Sequence, residues 1–207
     1  MKESETGFIL VGGNMFGSKT SEMIHLLSLE ERMGRKAQAF MVPWDNRYGV
    51  GKITTHHGTE YPAFQVENTA RLIKILHQNT EVIGIDEVQF FDDKIIEFIL
   101  ENKEKKLIIA TALQMDFRGN PFPLRGAGGK ECDSEKHVGN LMPFAKIIPR
   151  YPQCTFKEED RICRAEAIYT QRFRPDGSLA PYKDPTVVVG GKDQYAPRCI
   201  GHFVRPK

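Results

Sequence analysis

The sequence has little net charge and no long apolar run. Its 207 residues carry a formal net charge of +2, and the basic residues do not cluster, so a nucleic-acid-binding surface is not expected. The polar, acidic residues 1–6 precede an apolar run of only a strand's length. This pattern predicts neither a signal peptide nor a membrane span, and we expect a cytoplasmic protein with no nucleic-acid or membrane partner.

Cysteine is scarce and unevenly placed. Cys132 stands alone in a glycine-rich stretch, whereas Cys154, Cys163 and Cys199 fall in the last third of the chain. Without a secretory signal, this distribution favours a metal site over a disulfide framework. Because His202 follows Cys199 in a Cys-x-x-His spacing, we predict a closed, structural Zn²⁺ site with Cys₃His ligation. Free buried cysteines are the alternative.

The composition is ordinary for a globular protein, with 40% hydrophobic and 27% charged residues and no bias typical of disorder. The length suits one large domain, or one domain with a small appendage. Continuous apolar runs predict buried parallel strands, and apolar residues three and four positions apart predict helices. The predicted strands are residues 8–11, 37–42, 82–85 and 105–111, and the predicted helices are residues 18–33, 66–77 and 94–100. Their alternation predicts an α/β domain with right-handed crossovers.

The remaining stretches are predicted to be irregular or rich in β-structure. Residues 43–58 form a long polar loop, and residues 125–138 form a mobile loop or an insertion, since they contain few apolar side chains. Beyond residue 150 the pattern changes, and residues 167–171 and 186–189 read as strands. These strands would surround the zinc site.

The stretch from residue 8 to residue 23 has the layout of a phosphate-binding loop, because a strand and a glycine-containing turn lead to a helix that opens on Lys19 and Thr20. In such loops backbone N–H groups and the Lys hold a polyphosphate, and the Thr hydroxyl holds Mg²⁺. The consensus has glycine directly before the Lys, whereas this chain has Ser18 there and Gly17 one position earlier. An ordinary strand-turn-helix connection is the alternative.

Two adjacent carboxylates, Asp86 and Glu87, follow the third predicted strand directly. Ligands of open parallel sheets bind outside the carboxyl ends of the strands, so these carboxylates would face the loop after the first strand. An acidic residue in this position commonly holds Mg²⁺ through water. The alternative is an N-cap for the following helix, but Phe90 and Phe91 come next and favour a functional role.

A second cluster combines aromatic and charged residues. Phe117 and Phe122 lie beside Asp116 and Arg118, in a stretch that does not have a helical pattern. Such clusters suit a flat ring held by stacking, although each phenylalanine taken singly is more often a core residue.

In sequence order these motifs resemble those of the type II thymidine kinases, the cytosolic P-loop family that includes the vertebrate cytosolic and poxvirus enzymes. The similar segments are Gly13-Asn-Met-Phe-Gly-Ser-Lys-Thr20, Asp45-Asn-Arg-Tyr48, Thr55-His-His-Gly58, Ile85-Asp-Glu-Val-Gln-Phe-Phe91, Asp116-Phe-Arg-Gly-Asn-Pro-Phe122 and Val189-Gly-Gly-Lys-Asp-Gln-Tyr195. No single motif is decisive, but the ordered set is specific. The resemblance implies a P-loop (RecA-like) parallel sheet flanked by helices in residues 1–150. It also implies a small C-terminal β-rich, zinc-binding domain in residues 151–207 that carries a nucleoside-enclosing loop.

The resemblance implies transfer of the γ-phosphoryl group of ATP to the 5′-hydroxyl of thymidine or deoxyuridine. Glu87 would be the general base, Asp86 would hold Mg²⁺ through water, and Arg47 would stabilise charge on the transferring group. The residues implied to bind ATP and Mg²⁺ are Gly13, Asn14, Met15, Phe16, Gly17, Ser18, Lys19, Thr20, Asp86 and Gln89.

The nucleoside would lie between aromatic side chains and the C-terminal loop. The residues implied to bind it are Met15, Phe90, Leu113, Phe117, Phe122, Val187, Val188, Val189, Gly190 and Tyr195. At the zinc site Cys163 aligns with the second member of the family's usual Cys-x-x-Cys pair, so either Cys154 or Asp160 would supply the first ligand. The family also implies a homotetramer and feedback inhibition by thymidine triphosphate.

Two other functions remain open at this point. The altered phosphate loop is compatible with a catalytically weakened or inactive relative that still binds a nucleotide or nucleoside. A zinc ribbon that binds nucleic acid is the other possibility, which the small net charge disfavours.

Overall fold

The computed structural model describes residues 5–43, 51–55, 57–125, 135–188 and 190–207. The strands are β1 (Gly7–Gly13), β2 (Ala37–Met41), β3 (Lys52–Thr54), β4 (Glu60–Pro62), β5 (Phe64–Gln65), β6 (Val82–Asp86), β7 (Leu107–Leu113), β8 (Lys146–Arg150), β9 (Lys157–Glu158), β10 (Arg161–Ile162), β11 (Tyr169–Arg172) and β12 (Tyr195–Arg198). The α-helices are α1 (Lys19–Arg32), α2 (Thr69–Ile75) and α3 (Lys94–Asn102).

Six of these strands form one parallel sheet in the order β5-β2-β6-β7-β1-β8. The continuous apolar run of β1 places apolar side chains on both faces of the sheet, because successive side chains of a strand point in opposite directions. Leu10 lies in one core cluster with Ile95 of α3, and Val11 lies in the other with Leu27 of α1. This arrangement confirms the predicted α/β class, a parallel sheet flanked by helices.

The order of the strands places the carboxyl ends of β1, β6 and β7 side by side. β6 and β1 both pair with β7, so the loops that follow these three strands emerge at one edge of the sheet. The phosphate loop follows β1, and the two carboxylates lie at the end of β6. The candidate site therefore lies at this edge.

Several local predictions need correction. The sequence did not predict β8, an edge strand with mostly exposed residues and therefore only a weak apolar pattern. The predicted loop 43–58 contains β3, which pairs with β4 in an antiparallel hairpin, and its residues 44–50 and 56 lie outside the described residues. The predicted strand over 186–189 is wrong for residues 186–188, which lie outside every strand of the described residues. The Thr186 hydroxyl accepts a hydrogen bond from the Arg118 guanidinium, and the Val188 carbonyl accepts one from the Tyr195 hydroxyl.

Helix α2 is shorter than predicted because its start is fixed by a side chain. The Asn68 side chain accepts a hydrogen bond from the Arg71 N–H at 2.9 Å, so residues 66 and 67 precede the helix. The cap satisfies one of the free N–H groups of the first turn.

The ends of the predicted insertion are fixed. The Leu124 N–H donates to the Lys136 carbonyl at 3.1 Å and the Val138 N–H to the Phe122 carbonyl at 2.9 Å, so the two ends pair as antiparallel chains. Residues 126–134, including Cys132, lie outside the described residues.

Beyond β8 the described chain contains only short strands, in the hairpin β9–β10 and the antiparallel pair β11–β12. The division of the chain at residue 150 stays a prediction. Within the described ranges, no helix is long and apolar enough to cross a membrane.

Candidate active site and metal centre

The loop between β1 and α1 is tied to the C-terminal part of the chain. Asn14 is buried, and its side-chain amide donates to the carbonyl oxygens of Ala167 at 2.7 Å and Tyr169 at 2.9 Å. The Met15 N–H donates to Thr170 Oγ1 at 3.3 Å. These bonds fix the loop against the beginning of β11.

The end of β8 packs against two glycines, one at the end of β1 and one in the loop that follows. A Cβ atom on Gly13 would lie 2.1 Å from the Arg150 carbonyl oxygen, and one on Gly17 would lie 1.9 Å from it. Ser18, the N-cap of α1, has φ 55° and ψ 32°, a left-handed conformation, and its side chain makes no cap bond. The loop therefore has glycine where another backbone approaches and serine where the conformation favours glycine.

Lys19 and Thr20 open α1 and face the site. Lys19 is buried, and its Nζ donates to the Asn14 carbonyl oxygen at 2.9 Å, across the loop. Thr20 Oγ1 donates to Asp86 Oδ1 at 3.2 Å, so the start of α1 meets the end of β6. Lys19 is therefore not the exposed lysine of an ordinary strand-turn-helix connection.

Asp86 is a buried carboxylate with hydroxyl neighbours. Thr111 Oγ1 donates to Asp86 Oδ1 at 2.6 Å and accepts the Glu87 N–H at 2.7 Å. Burial, and then the charge of Glu87, raise the pKa of Asp86 to about 6, against the opposing hydrogen bonds from Thr111 and Thr20 and the charge of Lys19. A cation beside this carboxylate would offset the cost of burying its charge, and carboxylate and hydroxyl oxygens are the ligands that Mg²⁺ prefers.

Glu87 is held by its backbone and by a neighbouring amide. Its φ of 52° is left-handed and turns the chain sharply after β6. Gln89 is buried, its side-chain N–H donates to a Glu87 carboxylate oxygen, and its Oε1 accepts the Leu113 N–H at 3.2 Å. The N-cap of α3 is Asp93, so Asp86 and Glu87 do not cap that helix.

The aromatic residues of the candidate pocket are largely buried. The rings of Phe90 and Phe122 meet edge to face, with centroids 6.3 Å apart, and both belong to the core cluster that contains Leu10 and Ile95, here called the main core cluster. The Phe117 ring lies 4.5 Å from the Arg118 guanidinium carbon and 3.7 Å from that of Arg172. Whether these rings line a nucleoside pocket stays a prediction.

The segment predicted to enclose the nucleoside is anchored at two described points. Val187 packs against the main core cluster, and the Val188 carbonyl oxygen accepts a hydrogen bond from Tyr195 Oη at 2.7 Å. A Cβ atom on Gly190 would lie 2.3 Å from Gln194 Oε1, so a side chain at this position would displace the Gln194 amide. Two predicted site residues, Arg47 and Val189, lie outside the described residues.

The four predicted metal ligands lie together. The Sγ atoms of Cys163 and Cys199 are 3.8 Å apart, and His202 Nδ1 lies 3.7 Å from Cys154 Sγ and 3.3 Å from Cys199 Sγ. All four ligand atoms lie within 4.8 Å of one another. A tetrahedral Zn²⁺ with Zn–S bonds of about 2.3 Å places its ligand atoms about 3.8 Å apart, so the group could hold Zn²⁺. It includes Cys154 and not Asp160.

Local turns bring these ligands together. The Cys163 N–H donates to the Phe156 carbonyl at 2.9 Å at the hairpin β9–β10, and the His202 N–H donates to the Cys199 carbonyl at 3.1 Å. The His202 and Phe156 rings stack with centroids 4.2 Å apart. The hairpin explains why the first two cysteines can have eight residues between them and still share a site.

The family model described as thymidine kinase matches residues 7–127, more than half of the chain. This chain belongs to the thymidine kinase family. The thymidine kinase of Mesoplasma florum is 34% identical over 206 residues, which cover 96% of this chain and 92% of that protein. The thymidine kinase of Thermococcus kodakarensis is 34% identical over 207 residues, which cover 97% and 95% of the two chains.

The sequence did not predict the contacts that three residues of this thymidine kinase family member make. Thr111 lies at the carboxyl end of β7, the strand beside β6, and this position was a usable signal. Arg118 stands inside the Asp116-Phe-Arg-Gly motif, so its presence was visible but its contacts were not. Arg150 contributes a backbone carbonyl, which no side-chain pattern reveals.

Proposed function

We propose that this protein transfers the γ-phosphoryl group of ATP to the 5′-hydroxyl of thymidine or deoxyuridine, with Mg²⁺ as cofactor. The observation that carries the proposal is the meeting of the phosphate loop with two carboxylates, in which Thr20 lies 3.2 Å from Asp86 and Glu87 follows directly. Membership in a family whose curated members are named thymidine kinases supports the substrate.

The phosphate loop would hold the polyphosphate of ATP. Backbone N–H groups of residues 13–18 and the start of α1 favour negative charge, and Lys19 Nζ would exchange the Asn14 carbonyl for a phosphate oxygen. Thr20 and, through water, Asp86 would hold Mg²⁺, which when bound neutralises charge on the phosphates. Phe16, Gly17 and Ser18 would contribute through the backbone.

Glu87 would be the general base that accepts the proton of the 5′-hydroxyl. Its carboxylate is only half-buried, and the hydrogen bond from Gln89 orients it. Gln89 is itself anchored to the backbone of Leu113 at the end of β7. A base held in this way needs little reorganisation when the substrate binds. Arg47 would stabilise the transferring group.

The nucleoside would bind between the aromatic cluster and the C-terminal segment. Met15, Phe90, Leu113, Phe117 and Phe122 would line the base pocket. Residues 187–190 would close over the nucleoside, with Tyr195 supporting them through the Val188 carbonyl. Backbone donors and acceptors at fixed positions can discriminate between bases, because a mismatched base leaves a polar group unpaired.

The remaining parts of the proposal concern stability and assembly. Cys154, Cys163, Cys199 and His202 would hold a structural Zn²⁺ that stabilises residues 151–207, since all four tetrahedral positions are taken by protein. We also propose a homotetramer in the cytoplasm, as the family resemblance implies. Size-exclusion chromatography with light scattering tests the assembly.

A coupled assay of ADP release tests the function, with Mg-ATP and thymidine, deoxycytidine or no nucleoside. We expect turnover that depends on thymidine. Glu87→Gln should lower kcat by about 100-fold or more while thymidine still binds. Glu101→Gln, an exposed glutamate on α3, is the matched control. Normal thymidine phosphorylation by Glu87→Gln would refute the assigned base, and thymidine binding without turnover in the unchanged protein would refute the activity.

A further inference from the structure

The turn at residues 116–120 has a rigid internal network. Asp116 Oδ1 accepts the N–H groups of Arg118 at 2.9 Å and Asn120 at 3.0 Å, and the Asp116 N–H donates to the Asn120 carbonyl at 2.8 Å. Gly119 takes a φ of 77°, which favours glycine. The network fixes the backbone position from which the Arg118 side chain extends.

The Arg118 guanidinium holds residues 182–186, which we call the entry segment. Nε donates to the Tyr182 carbonyl at 2.6 Å, Nη2 to the Asp184 carbonyl at 2.6 Å, and Nη1 to Thr186 Oγ1 at 2.9 Å. A planar guanidinium can donate in several fixed directions at once, which a lysine ammonium cannot reproduce. One side chain therefore connects three positions of the entry segment to the turn.

The surroundings of Arg118 strengthen this connection. Its Nη1 lies 2.8 Å from Asp116 Oδ2, and only 14% of its side chain is exposed, so the bonds are partly shielded from water. On the other side, Arg172 of β11 donates to the Pro185 carbonyl at 2.5 Å. Both guanidinium groups contact the Phe117 ring. The entry segment is thus fixed to two different parts of the chain.

We propose that Arg118 is a positioning residue for nucleoside binding. It fixes the entry segment so that Val187 and Val188, which follow directly, are held in place before the substrate arrives. This inference rests on the proposed function, which assigns residues 187–190 to enclosing the nucleoside. If the entry segment were released, ordering it would oppose binding of the nucleoside and leave phosphoryl transfer almost unaffected.

The test uses the full chain with Arg118→Met, Arg118→Lys and the control Arg174→Met. Arg174 is a matched control because it also contacts Asp184 of the entry segment, through the Asp184 carboxylate at 2.9 Å. Its own side chain is 47% exposed, so this contact is weakened by solvent. For Arg118→Met we expect the thymidine KM, and the thymidine Kd measured by calorimetry without ATP, to rise about tenfold. The ATP KM and kcat should stay within about twofold. Arg118→Lys should restore little of the lost thymidine affinity, and Arg174→Met should bind thymidine as the unchanged protein does.

Thermal unfolding and zinc content show whether each variant folds. If Arg118→Met does not fold, Thr186→Val removes a single acceptor of the same guanidinium, and we expect a rise of about threefold in the thymidine Kd. The inference is overturned if the thymidine Kd of the folded variant equals that of Arg174→Met, or if kcat and ATP KM worsen as much as the thymidine KM. Loss of thymidine-dependent turnover in the unchanged protein would instead count against the proposed function, since the calorimetric comparison needs no turnover.

Discussion

The phosphate loop has glycine at 17 and serine at 18, the reverse of the order in the family's motif. The structure predicts that restoring that order would lower the stability of the protein. Restoring the consensus order requires Gly17→Ser and Ser18→Gly. From the motif alone, both changes would be expected to stabilise the loop. The structure predicts opposite effects for the two, because position 17 has no room for a side chain while position 18 has a left-handed backbone.

The magnitudes follow from the local geometry. In Gly17→Ser the new Cβ would lie 1.9 Å from the Arg150 carbonyl oxygen and 2.9 Å from its carbonyl carbon, both in the backbone of β8. We expect a loss of about 3 kcal/mol in the free energy of unfolding, hence a fall of about 6–12 °C in Tm. Ser18→Gly relieves the strain of a non-glycine residue in a left-handed conformation, which stabilises the folded state by about 1–2 kcal/mol. It also raises the conformational entropy of the unfolded chain, which lowers the stability by about 0.5–1 kcal/mol.

The net expectation for Ser18→Gly is a gain of about 0.5–1 kcal/mol, because the Ser18 side chain makes no cap bond that would be lost. The double variant should remain less stable than the unchanged protein by about 2 kcal/mol. The assay is urea unfolding followed by circular dichroism, together with Tm. Ser21→Gly, the same change inside α1, is the control and should cost about 0.5 kcal/mol.

Two results would refute the reasoning. One is a Gly17→Ser protein as stable as the unchanged chain, which would mean that the end of β8 does not press against the loop. The other is a Ser18→Gly protein that loses as much stability as Ser21→Gly, which would mean that residue 18 is not left-handed. A double variant more stable than the unchanged protein would favour the motif over the structure.

Three further predictions concern single residues. Without nucleotide and Mg²⁺, Asp86→Asn should be more stable above about pH 6 by on the order of 2 kcal/mol, because its raised pKa makes the carboxyl lose stability as pH rises through about 6. Urea unfolding should show this difference fading toward about pH 4, and a constant difference would contradict it. Cys199→Ser should release bound Zn²⁺ in metal analysis and lower Tm, whereas a metal-free unchanged protein would refute the site. Tyr195→Phe should raise the thymidine KM about threefold with unchanged kcat in steady-state assays, since it frees the Val188 carbonyl, and a fall in kcat alone would contradict it.

Local patterns were enough for the elements that fill the core. The apolar run of β1 and the helical spacing of α1 predict those elements because each side chain's face depends only on its own position in the element. The same reasoning missed β8, whose residues are mostly exposed at the sheet edge. It also gave a strand at residues 186–188, where the Thr186 hydroxyl bonds to Arg118 and the Val188 carbonyl bonds to Tyr195. Exposure at a sheet edge and hydrogen bonds to residues outside the segment do not produce a periodic pattern of apolar residues, so the sequence does not reveal them.

The sequence by itself determined the parallel α/β core, the phosphate loop, and the placement of Asp86 and Glu87 at the end of a strand. These features follow from local periodicity and from the rule that ligands bind at the carboxyl ends of parallel strands. Only the tertiary structure decided that Gly17 must face the end of β8 and that Arg118 connects to residues 182–186. These contacts join segments far apart in the chain, and their energies depend on distances that no local pattern specifies.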